Sequence, residues 1–214
     1  MPTSSKTLSL LRRLRPSVKL DTSIEIEIGP EVYNPSDDSY LLLKVVDVSP
    51  EERFLEIGAG TGLLSIHAAK LGARVTAADF NPHAVECTKR NAAKNSVRID
   101  TVKSDLFEKV QGNYDVIVFN PPYLPGATTS TSWIERAWSG GDEGSETAVK
   151  FLNDAWKHLS PGGRIFIILS SVGGLMSVLK SARERYDSEM LEEQHMFFES
   201  IYAYRFRLKT NTTR

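Results

Sequence analysis

Cys87 is the one cysteine in 214 residues. A lone thiol excludes an internal disulfide and any zinc site built from several cysteines. Histidine is scarce as well, with four in the chain, and neither His67 nor His195 falls in a recognisable motif. No apolar run approaches the roughly twenty residues that a membrane span requires. Net charge is also nearly absent: 26 cations against 27 acids leave −1, so the chain as a whole has no pull on a polyanion. That balance hides an asymmetry. Lys6, Arg12, Arg13, Arg15 and Lys19 stand among residues 1–20 with no acid, which leaves residues 21–214 at −6. The basic start, with Leu8, Leu10, Leu11 and Leu14 among serines, has the composition of a transit peptide, an amphipathic helix or a frayed tail. Residues 21–214 are long enough for a single domain with a full core, and the expected location is the cytoplasm.

What is present is a series of apolar strands, each ending in a polar motif. Ile24, Ile26 and Ile28 alternate with Glu25 and Glu27, which predicts a half-exposed strand ending at Gly29-Pro30. Val32-Tyr33-Asn34-Pro35-Ser36-Asp37-Asp38-Ser39-Tyr40 then runs into helical spacing, with Ser36 or Asp37 as N-cap. Asp38 and Ser39 either complement the helix dipole or line a ligand site at that helix end. Phe54 to Ile57 is a short buried strand followed by Gly58-Ala59-Gly60-Thr61-Gly62 and a helix. Strand, glycine-rich turn and helix make a nucleotide-type unit. The dinucleotide fingerprint would require a glycine where Leu63 stands. Glu56 just before the turn favours a cationic ligand over a pyrophosphate.

The second strand, Val75 to Ala78, ends in Asp79, placed to accept from both hydroxyls of a ribose. A third strand, Ile99 to Val102, precedes Ser104-Asp105-Leu106-Phe107, a carboxylate beside apolar surface that suits a purine. The fourth, Val116 to Phe119, delivers Asn120-Pro121-Pro122-Tyr123. Neither proline has an N–H, the Asn120 amide adds an acceptor and Tyr123 adds an aromatic face. That corner suits a planar NH2 group. Residues 124–141 form a polar loop too long for a plain connector. Trp133 and Trp138 pack this loop down, or Trp138 touches a target peptide. Beyond it the spacing predicts a helix from Glu146 to Leu159, a buried strand over Ile165 to Leu169, a helix from Leu175 to Tyr186 and an alternating antiparallel strand through Tyr202, Tyr204, Phe206 and Leu208. Strand–helix alternation of this kind predicts an α/β fold, a doubly wound and mostly parallel sheet with helices on both faces.

Glu56-Ile57-Gly58-Ala59-Gly60-Thr61-Gly62, Asp79, Asp105 and Asn120-Pro121-Pro122-Tyr123 resemble the motifs of class I S-adenosylmethionine-dependent methyltransferases. The segment 32–40 and Ala137-Trp138-Ser139-Gly140-Gly141-Asp142-Glu143-Gly144 resemble the HemK-like protein-glutamine methyltransferases, in their compact archaeal and eukaryotic branch. Ser39 replaces the usual Thr and keeps the hydroxyl. The resemblance runs from about residue 24 to the C-terminus and implies a seven-stranded sheet of order 3-2-1-4-5-7-6. It also implies a cofactor, S-adenosylmethionine, without a metal. That cofactor would be held by Asp38, Ser39, Glu56, Gly58, Gly60, Gly62, Asp79, Phe80, Asp105, Leu106 and Asn120, with Asn120, Pro121 and Tyr123 at the reacting centre. The implied acceptor is the side-chain amide of glutamine in the Gly-Gly-Gln tripeptide of a translation termination factor. The implied partner is a small zinc-binding subunit at the third-strand edge. Two rivals share the site: adenine methylation of nucleic acid, which lacks a basic groove here, and lysine methylation, which suits an acceptor pair less well.

Overall fold

Val116-Ile117-Val118-Phe119 is apolar at every position because both faces of its strand are covered. In the computed structural model, which describes residues 23–126 and 131–210, this run is the end of β4 (Tyr114–Phe119). Val116 and Val118 pack with Phe54, Phe166, Ile168 and the leucines of α1 (Asp37–Val45). Ile117 and Phe119 face the other way, onto Leu55, Ile57, Phe151 and Ile165. Each of these fully buried side chains contributes roughly 1.5–3 kcal/mol of apolar transfer energy, so β4 is fixed from two sides. The residue that follows it inherits that rigidity.

β4 lies at the centre of one seven-stranded sheet of order β3-β2-β1-β4-β5-β7-β6, the order that the resemblance implies. The strands are β1 (Arg53–Ile57), β2 (Arg74–Asp79), β3 (Ile99–Lys103), β5 (Leu159–Ser170), β6 (Tyr186–His195) and β7 (Ser200–Leu208). β1 to β5 are parallel, and β7 is antiparallel to both β5 and β6. The chain winds outward from β1 through β2 to β3 and then returns to set β4 on the other side of β1. Such a reversal opens a crevice at the carboxyl ends of β1 and β4. The helices α2 (Leu63–Lys70), α3 (Pro82–Lys94), α4 (Trp133–Arg136), α5 (Glu146–Ala155) and α6 (Leu175–Ala182) complete the described chain. None of the described helices is long and apolar enough to cross a membrane. The basic segment 1–20 lies outside the described residues.

Three sequence expectations are corrected. Residues 24–28 form no strand and pair with no strand among the described residues. Asn91, in the last turn of α3, and Asn95, which caps that helix, take the place of a neighbour. The Asn91 amide accepts from the Glu27 N–H at 2.9 Å and donates to the Glu27 carbonyl at 2.9 Å. Asn95 does the same for Glu25, at 3.0 and 2.7 Å. Residues i and i+4 of a helix share a face, and each side-chain amide presents one donor and one acceptor as a peptide unit does. The alternating pattern is therefore satisfied by a helix.

α5 ends at Ala155, not Leu159. Trp156–His158 tighten into a 3-10 turn, and Leu159 is drawn into β5 by pairing with Tyr114. α6 likewise ends at Ala182. Tyr186 starts β6 opposite Leu208, and its hydroxyl donates to the Leu152 carbonyl at 2.7 Å.

Candidate active site

The turn after β1 needs left-handed backbone, and glycine supplies it where a Cβ would be strained. Gly60 sits at φ 56°, and a Cβ built there would meet nothing within 4 Å. Its Cα side opens onto a cavity, so a ligand can approach the backbone itself. Gly62, at φ 81°, has a different task. A Cβ on it would lie 2.8 Å from Thr88 Cγ2, so this glycine lets α3 pack against the start of α2. Gly62 does not line the cavity, whereas Gly58 and Gly60 do.

Two carboxyl groups flank the turn. Glu56 points from β1 to the start of α2, where its Oε2 accepts from the Ser65 N–H at 2.9 Å and the Ser65 hydroxyl at 2.5 Å. Burial lifts its carboxyl to about 8, the Ser65 contacts oppose this and the nearby Asp79 carboxylate adds to it. Asp79 ends β2 and is also buried. Its Oδ2 accepts from the Gly60 N–H and its Oδ1 from the Asn81 N–H, both at 2.9 Å. These bonds oppose a burial that still raises its pKa. Each oxygen keeps a lone pair, and the two N–H donors fix the plane of the carboxylate.

The raised pKa of Glu56 has a consequence for stability. A carboxyl whose pKa is higher folded than unfolded contributes fully below its unfolded value, and loses that contribution as pH rises through the folded value. Ligand-free protein should therefore weaken between the ordinary carboxyl value of 4.5 and about 8. Glu56→Gln should melt several degrees above wild type near pH 8.5 and within about a degree or two of it near pH 5. Scanning calorimetry at the two pH values checks this; equal shifts at both would remove Glu56 as the titrating group.

At the opposite wall, the first turn of α1 meets the end of β4. Asp38 is buried and gathers donors: Ser39 N–H at 2.6 Å, Ser39 hydroxyl at 3.1 Å, Tyr33 hydroxyl at 3.2 Å and Tyr123 hydroxyl at 3.5 Å. Burial, then the Asp38 carboxylate, push both phenols well above their ordinary value. Tyr33 and Tyr123 are therefore neutral donors and not bases. Asn120 Nδ2 lies 3.5 Å from the Ser39 hydroxyl. Its Oδ1 is buried and accepts no hydrogen bond among the described residues. Leaving such an acceptor unpaired costs about 1–3 kcal/mol, a cost that a ligand donor would remove. The Pro121 carbonyl, with no strand beyond it, is also without a partner among the described residues.

These walls enclose a cavity of about 840 Å³, within the range of small-molecule sites. Asp38, Ser39, Glu56, Gly58, Gly60, Asp79, Phe80, Asp105, Leu106, Asn120, Pro121 and Tyr123 all line it. The structure thus brings together every sequence-predicted site residue except Gly62. Asp105 is exposed and lies 3.5 Å from Lys150. Five carboxyl groups and one guanidinium line the cavity, which favours a cationic ligand over a polyphosphate. Among the described residues no group of His, Cys, Asp and Glu is placed to hold a metal ion.

Sequence reasoning missed three participants. Arg136 lies over the rings of both Phe80 and Trp133, at 4.9 and 4.6 Å, and roofs the Asp79 end. Glu31, at φ 56°, anchors that roof by accepting from the Trp133 N–H at 2.9 Å. Glu199 reaches the cavity from beyond β6 and binds the Ser170 hydroxyl. None has a local signature, since each depends on a contact between distant segments. Trp133 packs on Phe80, whereas Trp138 stays half exposed, edge-on to Tyr33.

Residues 34–198 match the family described as Methyltransferase small domain. A protein of Methanocaldococcus jannaschii that carries the name of a protein N5-glutamine methyltransferase is 46% identical over 155 residues, covering 71% of this chain and 78% of that one. Methyltransferase HEMK2 of Mus musculus is 32% identical over 169 residues, covering 72% and 79%. Among solved structures, Mtq2 of E. cuniculi superimposes with a TM-score of 0.67 at 22% identity, over 84% of this chain and 99% of that one. It was solved as a complex with Trm112 responsible for methylation of the eRF1 translation termination factor. The chain belongs to the methyltransferase small domain family and, within it, to the HemK-like protein-glutamine methyltransferases.

Proposed function

We infer that this enzyme moves a methyl group from S-adenosylmethionine to the side-chain amide nitrogen of a glutamine in a protein, the Gly-Gly-Gln of a translation termination factor. The observation that carries the reading is the buried Asn120 Oδ1 next to the Pro121 carbonyl, both without a hydrogen-bond partner among the described residues. A primary amide presents two coplanar N–H groups, and two acceptors at one strand end match that need. Bound in the cavity, S-adenosylmethionine would supply an electrophilic methyl on a cationic sulfur. The residues fit it: open backbone at Gly60, an acid-rich wall for its charge, and Asp79 with lone pairs for a ribose.

The chain's own work is to bind and to orient. An amide nitrogen is a poor nucleophile because its lone pair is delocalised into the carbonyl. Asn120 Oδ1 and the Pro121 carbonyl hold the two N–H bonds and turn the lone pair towards the cofactor side, while the Tyr123 ring covers the target. Orientation of this kind supplies on the order of 7–11 kcal/mol of a barrier. With S-adenosylmethionine bound, the amide nitrogen held by these acceptors would take the methyl as the sulfonium leaves as a thioether, and would then lose one proton to water. No side-chain base is required, in keeping with two tyrosines held protonated.

Asp79→Ala is expected to weaken S-adenosylmethionine binding by roughly tenfold to a hundredfold, since two hydrogen bonds to a charged acceptor are lost and partly replaced by water. Isothermal calorimetry measures this directly; wild-type affinity in the variant would remove Asp79 from the cofactor site.

We read residues 21–214 as one catalytic domain. We further propose that a small zinc-binding subunit adds to the outer edge of β3, as an activator. β3 ends the sheet with no neighbour among the described strands, and such an edge accepts strand addition. Transfer of tritiated methyl to a termination factor, with DNA and RNA at background and the activator present or absent, tests the reading. Label in nucleic acid and none in the factor would overturn it in favour of adenine.

A further inference from the structure

The turn between β6 and β7 is unlike an ordinary hairpin end. Hairpin turns favour Gly, Asn, Asp, Pro and Ser, yet Met196, Phe197 and Phe198 stand here. The turn is closed by the Met196 N–H donating to the Glu199 carbonyl at 2.7 Å. None of the three needs a left-handed backbone. Phe197 is 92% exposed and Phe198 89%, their rings edge to face at 4.6 Å. Aromatic surface left in water contributes nothing to the fold, so its placement asks for a partner.

That placement is beside the reacting end of the cavity. β7 is antiparallel to β5, so the turn stands at the carboxyl edge of the sheet, where β4 delivers Asn120. Three contacts tie the tip to the site. Glu199, next after Phe198, lines the cavity and binds the Ser170 hydroxyl. The Ser171 N–H donates to the Ser200 carbonyl at 2.9 Å, and the Ser171 hydroxyl accepts from the Ser200 N–H at 3.0 Å. Gly173, two residues on, packs so closely on Tyr123 that a Cβ would lie 2.5 Å from the Tyr123 carbonyl. Val172, on the same connection out of β5, is 40% exposed, and Met176, in the first turn of α6, is 74% exposed. The strand that leads up to the tip exposes Asp187, Glu192 and Glu193.

The geometry points to the Phe197-Phe198 tip as the docking wedge for the protein that carries the acceptor amide, a partner with an apolar depression rimmed by lysine or arginine. This rests on the reading of a protein substrate given above and adds a contact outside the target tripeptide. The cavity then handles only the amide and its short flanks, while affinity for the folded substrate resides at the tip. Exposed aromatic anchors commonly carry such binding, and deleting one costs tenfold or more.

The test is steady-state methylation of the intact termination factor by wild type and by the Phe197→Ser/Phe198→Ser double variant, with activator added equally. Met190→Ser, at a 49% exposed position on the outer part of the same hairpin, is the control. The double variant should show a KM for the factor raised by about tenfold or more, with kcat at saturation, S-adenosylmethionine affinity and melting temperature unchanged. The control should match wild type. A double variant with wild-type KM would overturn the wedge while leaving the glutamine reading intact. No label from wild type would overturn both. A wild-type chain that sediments as a dimer, with the double variant monomeric, would assign the tip to a second copy and overturn the inference as well.

Discussion

Asn120→Ala is expected to reduce methyl transfer by at least about a hundredfold while binding S-adenosylmethionine to within a few fold of wild type. The reason is positional. Asn120 follows a strand buried on both faces, and its Oδ1 has no hydrogen-bond partner among the described residues, so removing the side chain releases only the long hydrogen bond to Ser39 among those described. In the proposed reading its contact is with the acceptor amide and matters most as the nitrogen attacks. Loss of a contact used mainly in the transition state appears in turnover and not in ground-state binding. Single-turnover rates at saturating cofactor measure this. A near-wild-type rate would show that the acceptor pair does not orient the amide.

Gly140→Ala should be almost as damaging, for a steric reason. Gly140 donates its N–H to the Leu124 carbonyl at 3.0 Å, and Leu124 in turn donates to the Trp138 carbonyl at 3.0 Å. This exchange braces the chain leaving Tyr123. A Cβ on Gly140 would collide with the Gly144 carbonyl and lie 2.8 Å from the Pro122 carbonyl. Both obstacles are backbone, so neither can rotate aside. The loop must shift and carry the Pro121 carbonyl with it, and a displacement near 1 Å at a reacting centre can cost about a hundredfold. We expect turnover to fall by roughly that factor, with cofactor affinity changed little because Glu56, Gly60 and Asp79 lie on other elements. Retained turnover would show that the Trp138–Gly141 segment does not brace the site.

The parts of the site legible in the sequence are those written in one short stretch. An apolar run followed by Asn-Pro-Pro-Tyr forces a polar corner at the end of a buried strand. Glu56 and Asp79 could be placed because each ends or nearly ends a strand whose length is set by its apolar residues. The sheet order followed from the resemblance to a family, as periodicity alone does not rank strands in space. Residues 24–28 misled because alternation predicts extended backbone and says nothing of what pairs with it; the amides of Asn91 and Asn95 are invisible at a separation of 64 to 70 residues. Gly62 looked like its neighbours in the turn, and only the position of Thr88 separates a packing glycine from one that lines the cavity. Arg136, Glu31 and Glu199 likewise meet the site through contacts with other segments and leave no local trace.

The most direct measurement is fragmentation mass spectrometry of a termination factor incubated with this protein and S-adenosylmethionine, with the proposed small zinc-binding activator present. A single added methyl on the side-chain nitrogen of the Gly-Gly-Gln glutamine, absent when that residue is changed to alanine and absent with Asn120→Ala, is the predicted result. A methyl found on a lysine, or a factor left unmodified while DNA or RNA is labelled in stoichiometric amount, would contradict the account.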